Sequence, residues 1–147
     1  MIIITNSEAE TIREGERLGR KLSGGAVVAL KGELGAGKTV FIRGLALGLG
    51  IATPVTSPTF TIVDEHPGKT PLFHFDMYRI GSESELFDIG WDDYIGQGGV
   101  CAVEWSDRVP AALPPGAVFV SIEKLGGDSR RLEISGIRET CESRATV

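Results

Sequence analysis

Apolar residues along the 147-residue chain follow two patterns, short continuous runs and runs at helical spacing. The continuous runs have the length of strands, and the run over residues 40–49 has the spacing of a helix. Strands in alternation with helices predict an α/β fold. Strands are expected at residues 1–4, 26–31, 61–65, 72–75, 100–104, 117–124 and 131–135.

A further helix is predicted from a capping-box pattern, in which a serine precedes a glutamate by three residues. Ser7 with Glu10 opens a helix that continues to about Leu22, and Ser82 with Glu85 forms a second capping box at the start of segment 82–94. The apolar residues expected on the inward face of the first helix are Ile12, Leu18 and Leu22.

The last two predicted strands flank the turn Gly126-Gly127-Asp128 and predict a C-terminal β-hairpin. The chain is long enough for one domain with a buried core, which we expect over residues 1–137. Residues 138–147 are polar and are expected to form a frayed tail.

Residues 32–39 (GELGAGKT) match the phosphate-binding loop pattern G-x-x-x-x-G-K-[ST] at every fixed position. A predicted strand precedes the loop and a predicted helix follows it, as that function requires. The glycines let backbone N–H groups surround a phosphate, and the start of the helix adds a favourable dipole. Lys38 would reach the outer phosphates, and the Thr39 hydroxyl would ligate Mg²⁺. Nucleotide binding is therefore predicted.

Two apolar strands end in an acidic residue, Asp76 in one and Glu104 in the other. Folds with a phosphate-binding loop place a carboxylate beside Mg²⁺ in this way. One acid could hold Mg²⁺, directly or through water, while the other orients the attacking water. The residues alone leave the two roles open.

Residues 53–60 (TPVTSPTF) contain two prolines, which preclude a regular helix, and several hydroxyl side chains. Two interpretations remain open, a surface loop and a switch segment that senses the nucleotide. The acidic and aromatic segment 86–94 likewise suits both a core and a partner surface.

Charge and composition exclude several functions. The net charge of −5 argues against binding of nucleic acid by this chain alone. No apolar run approaches the roughly 20 residues of a membrane span, and the start lacks a signal peptide, so no membrane association and a cytoplasmic location are expected. Cys101 and Cys141 are expected in neither a disulfide nor a metal site. His74, between two phenylalanines, is expected to be a half-buried strand residue rather than a ligand, and His66 lacks metal-ligand spacing.

The absence of an N-K-x-D segment favours ATP over GTP. Together with the phosphate-binding loop, the segments SPTF (57–60), HFDMYR (74–79), GWDDY (90–94) and VEWSDR (103–108) closely resemble one family. It is the bacterial ATPase family TsaE, also called YjeE, which supports threonylcarbamoyladenosine synthesis on tRNA. The resemblance covers nearly the whole chain, with the motifs in the family's order.

The resemblance implies a small protein of P-loop NTPase-like fold, with a mixed, mostly parallel sheet flanked by helices. It implies Mg²⁺-dependent binding and slow hydrolysis of ATP, and association with a TsaB–TsaD-like pair. That pair transfers the threonylcarbamoyl group to adenosine in tRNAs that read ANN codons, and hydrolysis resets the complex between turnovers. The tRNA would be bound only through the partners, in keeping with the acidic chain.

The resemblance also implies roles for individual residues. Lys38, Asp76 and Glu104 would be catalytic, with Thr39 and Glu104 on the metal side and Trp105 adjacent to the site. The nucleotide would be contacted by Thr11, Gly32, Glu33, Leu34, Gly35, Ala36, Gly37, Lys38, Thr39, Val40, Thr59 and Arg130, with Thr11 and Arg130 near the base.

Three functions are compared. The leading one is an ATPase that serves as an accessory subunit of a tRNA-modifying complex. The second is a nucleotide-sensing module in which occupancy alone switches a partner and hydrolysis is incidental. The third is a small-molecule kinase, for which the chain is short because such enzymes usually carry a separate lid and acceptor site.

Overall fold

The structure is a computed structural model that describes residues 1–33, 35–51, 55, 63–77, 82–106 and 109–136. Within these residues seven strands form one sheet and four α-helices cover it. The strands are β1 (Ile2–Thr5), β2 (Val27–Lys31), β3 (Val63–His66), β4 (Leu72–Asp76), β5 (Val100–Glu104), β6 (Val118–Gly126) and β7 (Ser129–Ser135). The helices are α1 (Glu8–Lys21), α2 (Lys38–Gly48), α3 (Glu83–Asp88) and α4 (Trp91–Ile95).

The sheet is mixed, with the strand order β1-β7-β6-β2-β5-β4-β3. The four strands β6, β2, β5 and β4 run parallel to one another at its centre, and β1, β7 and β3 pair antiparallel at the two sides. Strands β6 and β7 form the predicted C-terminal hairpin around the turn at residues 127–128. The predicted α/β fold class is confirmed.

Apolar side chains on the two faces of the sheet form two core clusters. Helices α1 and α2 cover one face, where Leu18 and Phe41 pack with alternate residues of the central strands. Helices α3 and α4 cover the other face, where Leu86 and Trp91 pack on Phe75. Neighbouring residues of each central strand therefore belong to different clusters, as the two-residue period of a buried strand requires.

Helices α1 and α2 approach each other closely because each places two glycines at their contact. A Cβ atom on Gly15 would lie 2.2 Å from the carbonyl oxygen of Phe41, and one on Gly44 would lie 2.1 Å from that of Ile12. Gly19 and Gly48 are equally crowded one turn further along. These contacts hold the second half of α1 against the middle and the end of α2.

The predicted start of α1 is confirmed. The Ser7 hydroxyl accepts a hydrogen bond from the backbone N–H of Glu10 at 3.1 Å, and the Glu10 carboxylate accepts one from the N–H of Asn6 at 3.1 Å. Of the three predicted inward residues, Leu18 and Leu22 are buried, whereas Ile12 is only half-buried.

Two other expectations are wrong in detail. Ser82 stands at the N-cap of α3, but its side chain makes no capping hydrogen bond with the described part of the chain. His74 is fully buried rather than half-buried, because it projects from the face of β4 that joins the core cluster under α1 and α2. The expected frayed tail lies outside the described residues, and among those residues no helix is long and apolar enough to cross a membrane.

The helix contact generates a stability prediction. We expect Gly44→Ala to lower the free energy of unfolding by about 1–3 kcal/mol, because the added methyl group meets backbone that can move only by separating α1 from α2. Urea denaturation followed by circular dichroism measures the change. The matched control is Gly116→Ala, where a Cβ atom meets open space and the expected change is within about 0.5 kcal/mol. Equal stability of the two variants would contradict the close packing.

Candidate nucleotide site

The candidate site begins where β2 ends and the glycine loop leads into α2. Gly35 and Gly37 adopt left-handed backbone conformations, with φ of 77° and 107°, which favour glycine. Gly37 is the N-cap of α2, so Lys38 and Thr39 occupy its first turn. The N-terminus of this 11-residue helix thus faces the space enclosed by the loop. Leu34 lies outside the described residues.

The Lys38 side chain is 5% exposed and folds back over the loop. Its Nζ donates hydrogen bonds to the carbonyl oxygens of Gly32 and Glu33, the latter at 3.2 Å. The same Nζ lies 3.8 Å from the centre of the Trp105 ring, a cation–π contact. Carbonyl oxygens and an aromatic face thus surround the Lys38 ammonium group. The group lies beside the cleft, where it could contact an anionic ligand.

The two strand-end acids are neighbours. In the parallel pairing of β4 with β5, Asp76 lies opposite Glu104, and both side chains project from the face that α2 covers. The Thr39 hydroxyl donates a hydrogen bond to Glu104 Oε2 at 3.1 Å. The pairing of strands therefore brings both acids to the start of the loop helix.

One cleft of about 350 Å³ joins these groups. The residues that line it are Gly35, Ala36, Gly37, Lys38, Thr39, Val40, Asp76, Glu104 and Trp105, all of them among the predicted site residues. Gly32 and Glu33 line a separate surface pocket on the other side of Trp105, although their carbonyl oxygens bind Lys38. Thr59 and the rest of segment 53–60, except Val55, lie outside the described residues.

The two residues expected near the base come together beside the loop. Thr11 and Arg130 line a small cavity of about 40 Å³ that also contacts Gly37 and Val40. The Thr11 hydroxyl is buried and hydrogen-bonded to that of Thr5 at 2.7 Å. The placement agrees with a position at the edge of the site, but it leaves the Thr11 hydroxyl already engaged.

Arg130 has a contact that the sequence pattern did not indicate. Its Nε donates to the carbonyl oxygen of Ala36 at 2.7 Å, and its Nη2 donates to that of Gly35 at 3.4 Å. These bonds draw two loop carbonyls toward the hairpin. No signal in the sequence identifies this contact, because the partners are more than 90 residues apart.

Trp105 adopts a backbone conformation that is uncommon for a residue with a side chain, with φ of 58°. It follows β5 directly, after Glu104, whose carbonyl oxygen accepts a hydrogen bond from the N–H of Met77 at 3.1 Å. Such conformations concentrate at functional sites. Here the turn swings the indole ring over Lys38.

His74 is the polar residue of this site that sequence reasoning missed. Its side chain is inaccessible to solvent, and its Nε2 lies 2.5 Å from Glu104 Oε2. The available signal was its position two residues before Asp76, which places both on the same face of one strand. The other buried histidine, His66, has its pKa lowered by burial and then by the nearby His74.

The oxygen donors fit a magnesium ion. Mg²⁺ at phosphate sites takes one or two protein ligands and completes its shell with water and phosphate oxygens. Thr39 and Glu104 are hydrogen-bonded to each other and share the cleft with Asp76. The described residues contain no cluster of three or more His, Cys, Asp or Glu side chains that would indicate a metal centre made by protein alone. Burial raises the pKa of the Cys101 thiol to about 12, so it is not available as a thiolate ligand.

Fold and site together define an α/β protein of P-loop NTPase-like architecture. A family model described as "Threonylcarbamoyl adenosine biosynthesis protein TsaE" matches residues 5–132. The chain belongs to the TsaE family.

Individual relatives agree with this assignment. The protein named tRNA threonylcarbamoyladenosine biosynthesis protein TsaE from Treponema pallidum (strain Nichols) is 42% identical over 135 residues, which cover 92% of this chain and 100% of that protein. The protein of the same name from Bacillus subtilis (strain 168) is 45% identical over 114 residues, or 77% and 71% of the two chains. The crystal structure of YdiB from Bacillus subtilis superimposes with a TM-score of 0.78 at 32% identity, covering 100% of this chain and 96% of that one.

The contacts of Arg130 generate a prediction about the loop. We expect Arg130→Ala to speed amide hydrogen exchange over residues 35–39 by about fivefold, because losing hydrogen bonds from a partly exposed guanidinium costs about 1 kcal/mol of local opening free energy. Exchange followed by mass spectrometry measures it. Arg131→Ala is the matched control, since Arg131 reaches Glu133 rather than the loop. Equal exchange in both variants would contradict a role of Arg130 in holding the loop.

Proposed function

We propose that this chain binds Mg²⁺–ATP, hydrolyses it slowly, and serves as an accessory ATPase in threonylcarbamoyladenosine modification of tRNA. The observation that carries the proposal is the single cleft in which Lys38 and Thr39 of the loop meet Asp76 and Glu104 of two neighbouring strands. These are the side chains that phosphoryl transfer from a nucleotide requires. Membership of the TsaE family supports the modification of tRNA as the process served.

The residues would divide the work as follows. The loop backbone and the start of α2 bind the phosphates, and Lys38 exchanges its carbonyl partners for phosphate oxygens. Thr39 and Glu104 would hold Mg²⁺, which neutralises charge on the phosphates when bound. Asp76 orients the attacking water or takes its proton. The Thr39–Glu104 hydrogen bond supports this assignment, because it puts Glu104 at the metal-side hydroxyl.

Slow hydrolysis by the chain alone follows from the charges around the cleft. Lys38 is the one cationic side chain among the described residues that line it. Transition-state charge in phosphoryl transfer is commonly stabilised by an added arginine, which accelerates the reaction by orders of magnitude. A TsaB–TsaD-like partner pair would complete the site or order it, so turnover would depend on the partners. The net charge of −5 supports contact with tRNA through those partners rather than through this chain.

The same charge pattern favours a second candidate, a nucleotide-sensing module in which occupancy alone switches the partner. The two candidates differ in what a non-hydrolysable ATP analogue does. An accessory ATPase that resets its complex stalls after one round with the analogue. A sensing module supports repeated rounds of modification.

The proposal is tested by phosphate release from Mg²⁺–ATP, measured with the chain alone and with a TsaB–TsaD pair. We expect a low rate alone, a rate at least tenfold higher with the pair, and no release above background for Lys38→Ala because the phosphates lose their main cation. Lys69→Ala, in an exposed turn far along the chain from the loop, is the matched control. Absence of both stimulation and complex formation would refute the partner role. ADP formed without matching phosphate would indicate a kinase.

The role of Asp76 generates a further prediction. We expect Asp76→Asn to lower phosphate release about 100-fold while ATP affinity stays within about threefold, because the substitution removes a proton acceptor and little binding contact. Asp88→Asn, at an exposed position of α3, controls for loss of a carboxylate. Binding is followed with a fluorescent ATP analogue. Unchanged hydrolysis in Asp76→Asn would remove Asp76 from the chemistry.

A further inference from the structure

The feature that the proposed roles leave unexplained is the buried pair of His74 and Glu104. Both side chains are nearly or fully inaccessible, and His74 Nε2 lies 2.5 Å from Glu104 Oε2. A carboxylate accepts hydrogen bonds and cannot donate them, so Nε2 carries the proton of this bond. The histidine thus donates to the oxygen that also accepts from the Thr39 hydroxyl.

The parallel pairing of β4 with β5 explains how the two side chains meet. His74 lies opposite Ala102, two residues before the Asp76–Glu104 pair, so all four side chains share one face. Ala102 is small and leaves room for the imidazole to cross toward β5. The Glu104 side chain, two residues after Ala102, is long enough for its carboxylate to reach Nε2.

The hydrogen bonds fix the orientation of the Glu104 carboxylate from two directions. Oε2 is bound by His74 from within the sheet and by Thr39 from the loop helix. A free glutamate has three rotatable side-chain bonds, and ordering them costs free energy when a metal binds. A carboxylate that is already held loses less on binding, which is the usual role of groups behind a metal ligand.

A purely structural role for His74 is the alternative, and the other ring nitrogen argues against it. His74 Nδ1 is buried and has no hydrogen-bond partner among the residues that the structure describes. A buried polar atom without a partner costs free energy that an apolar side chain of similar size would avoid. The imidazole is therefore better explained by the bond that Nε2 makes than by filling space.

We propose that His74 is a positioning residue, which holds the Glu104 carboxylate in the orientation that receives Mg²⁺ together with Thr39. The inference rests on the proposed function, because it concerns the magnesium ion of that site. His74 acts through Glu104 and contacts neither nucleotide nor metal itself.

The test compares three substitutions of His74 in the full chain. His74→Gln places an amide N–H near the position of Nε2 and can still reach Glu104. His74→Asn is equally polar but too short to reach, and His74→Leu fills the space with no donor. His66→Leu is the matched control, since His66 is also buried but lies on β3, opposite Leu72 at the start of β4.

Binding of a fluorescent ATP analogue is titrated with Mg²⁺ and, separately, measured in EDTA. We expect His74→Asn and His74→Leu to raise the half-saturating Mg²⁺ concentration about tenfold or more, with affinity in EDTA unchanged. His74→Gln and His66→Leu should stay within about threefold of the unsubstituted chain. Thermal melts report the folding of each variant, and the Gln and Asn pair decides the matter if the Leu variant does not fold.

Nuclear magnetic resonance of the unsubstituted chain gives a second, variant-free readout. The chain has only two histidines, so the imidazole N–H resonances are assigned from His66→Leu. Addition of Mg²⁺ to the nucleotide-bound chain should shift the His74 Nε2–H resonance and leave that of His66 in place.

Three results are distinguishable. Equal Mg²⁺ dependence in His74→Gln and His74→Asn, or a His74 resonance that ignores Mg²⁺, overturns the positioning role while the proposed function stands. An unsubstituted chain with no Mg²⁺-dependent nucleotide binding overturns the proposed function itself. A higher half-saturating Mg²⁺ concentration for His74→Asn than for His74→Gln supports both the positioning role and the proposed function.

Discussion

The register between β2, β5 and β4 is the constraint on which the candidate site depends. Glu104 lies opposite Leu30 on one side and Asp76 on the other, so the C-terminal ends of three parallel strands lie side by side. The chain leaving β2 there is the glycine loop, and the acids arrive at its side. A shift of one residue in either pairing would turn an acid to the opposite face, away from α2. The proposed catalytic site therefore depends first on the strand register, because the register brings the two acids to the loop.

The glycine contact between α1 and α2 is the second constraint. It fixes the spacing between α1 and α2, which pack side by side on the face of the sheet that carries Glu104. It also carries Thr11 to the edge of the loop, where Arg130 arrives from the hairpin. Helix α1 near the N-terminus and the hairpin near the C-terminus therefore both contact the glycine loop, although the loop itself is recognised from its local sequence alone.

What could be predicted from the sequence was what local patterns encode. The loop, its flanking strand and helix, the hairpin and the strand-end acids each depend on a few consecutive residues. The missed features depend on contacts between distant elements. From the local sequence, His74 is an ordinary strand residue, and only the strand register places it beside Glu104. Arg130 is likewise an ordinary hairpin residue, and only the packing of the hairpin on the loop reveals its contact. Ser82 shows the converse, since a correct local pattern places the start of a helix without making its capping bond.

The distribution of charge around the cleft connects the site to its proposed partners. Glu104 is held by donors on two sides, which prepares it for a cation, whereas the phosphates would meet Lys38 as the one cationic side chain in the described lining. A site that holds a carboxylate ready for the metal, with Lys38 as the one cationic side chain in its described lining, would bind its nucleotide more readily than it stabilises the transition state. Such an imbalance is a disadvantage in an independent enzyme. In a subunit whose turnover is controlled by its partners, as we propose for this chain, it would prevent hydrolysis until the complex has formed.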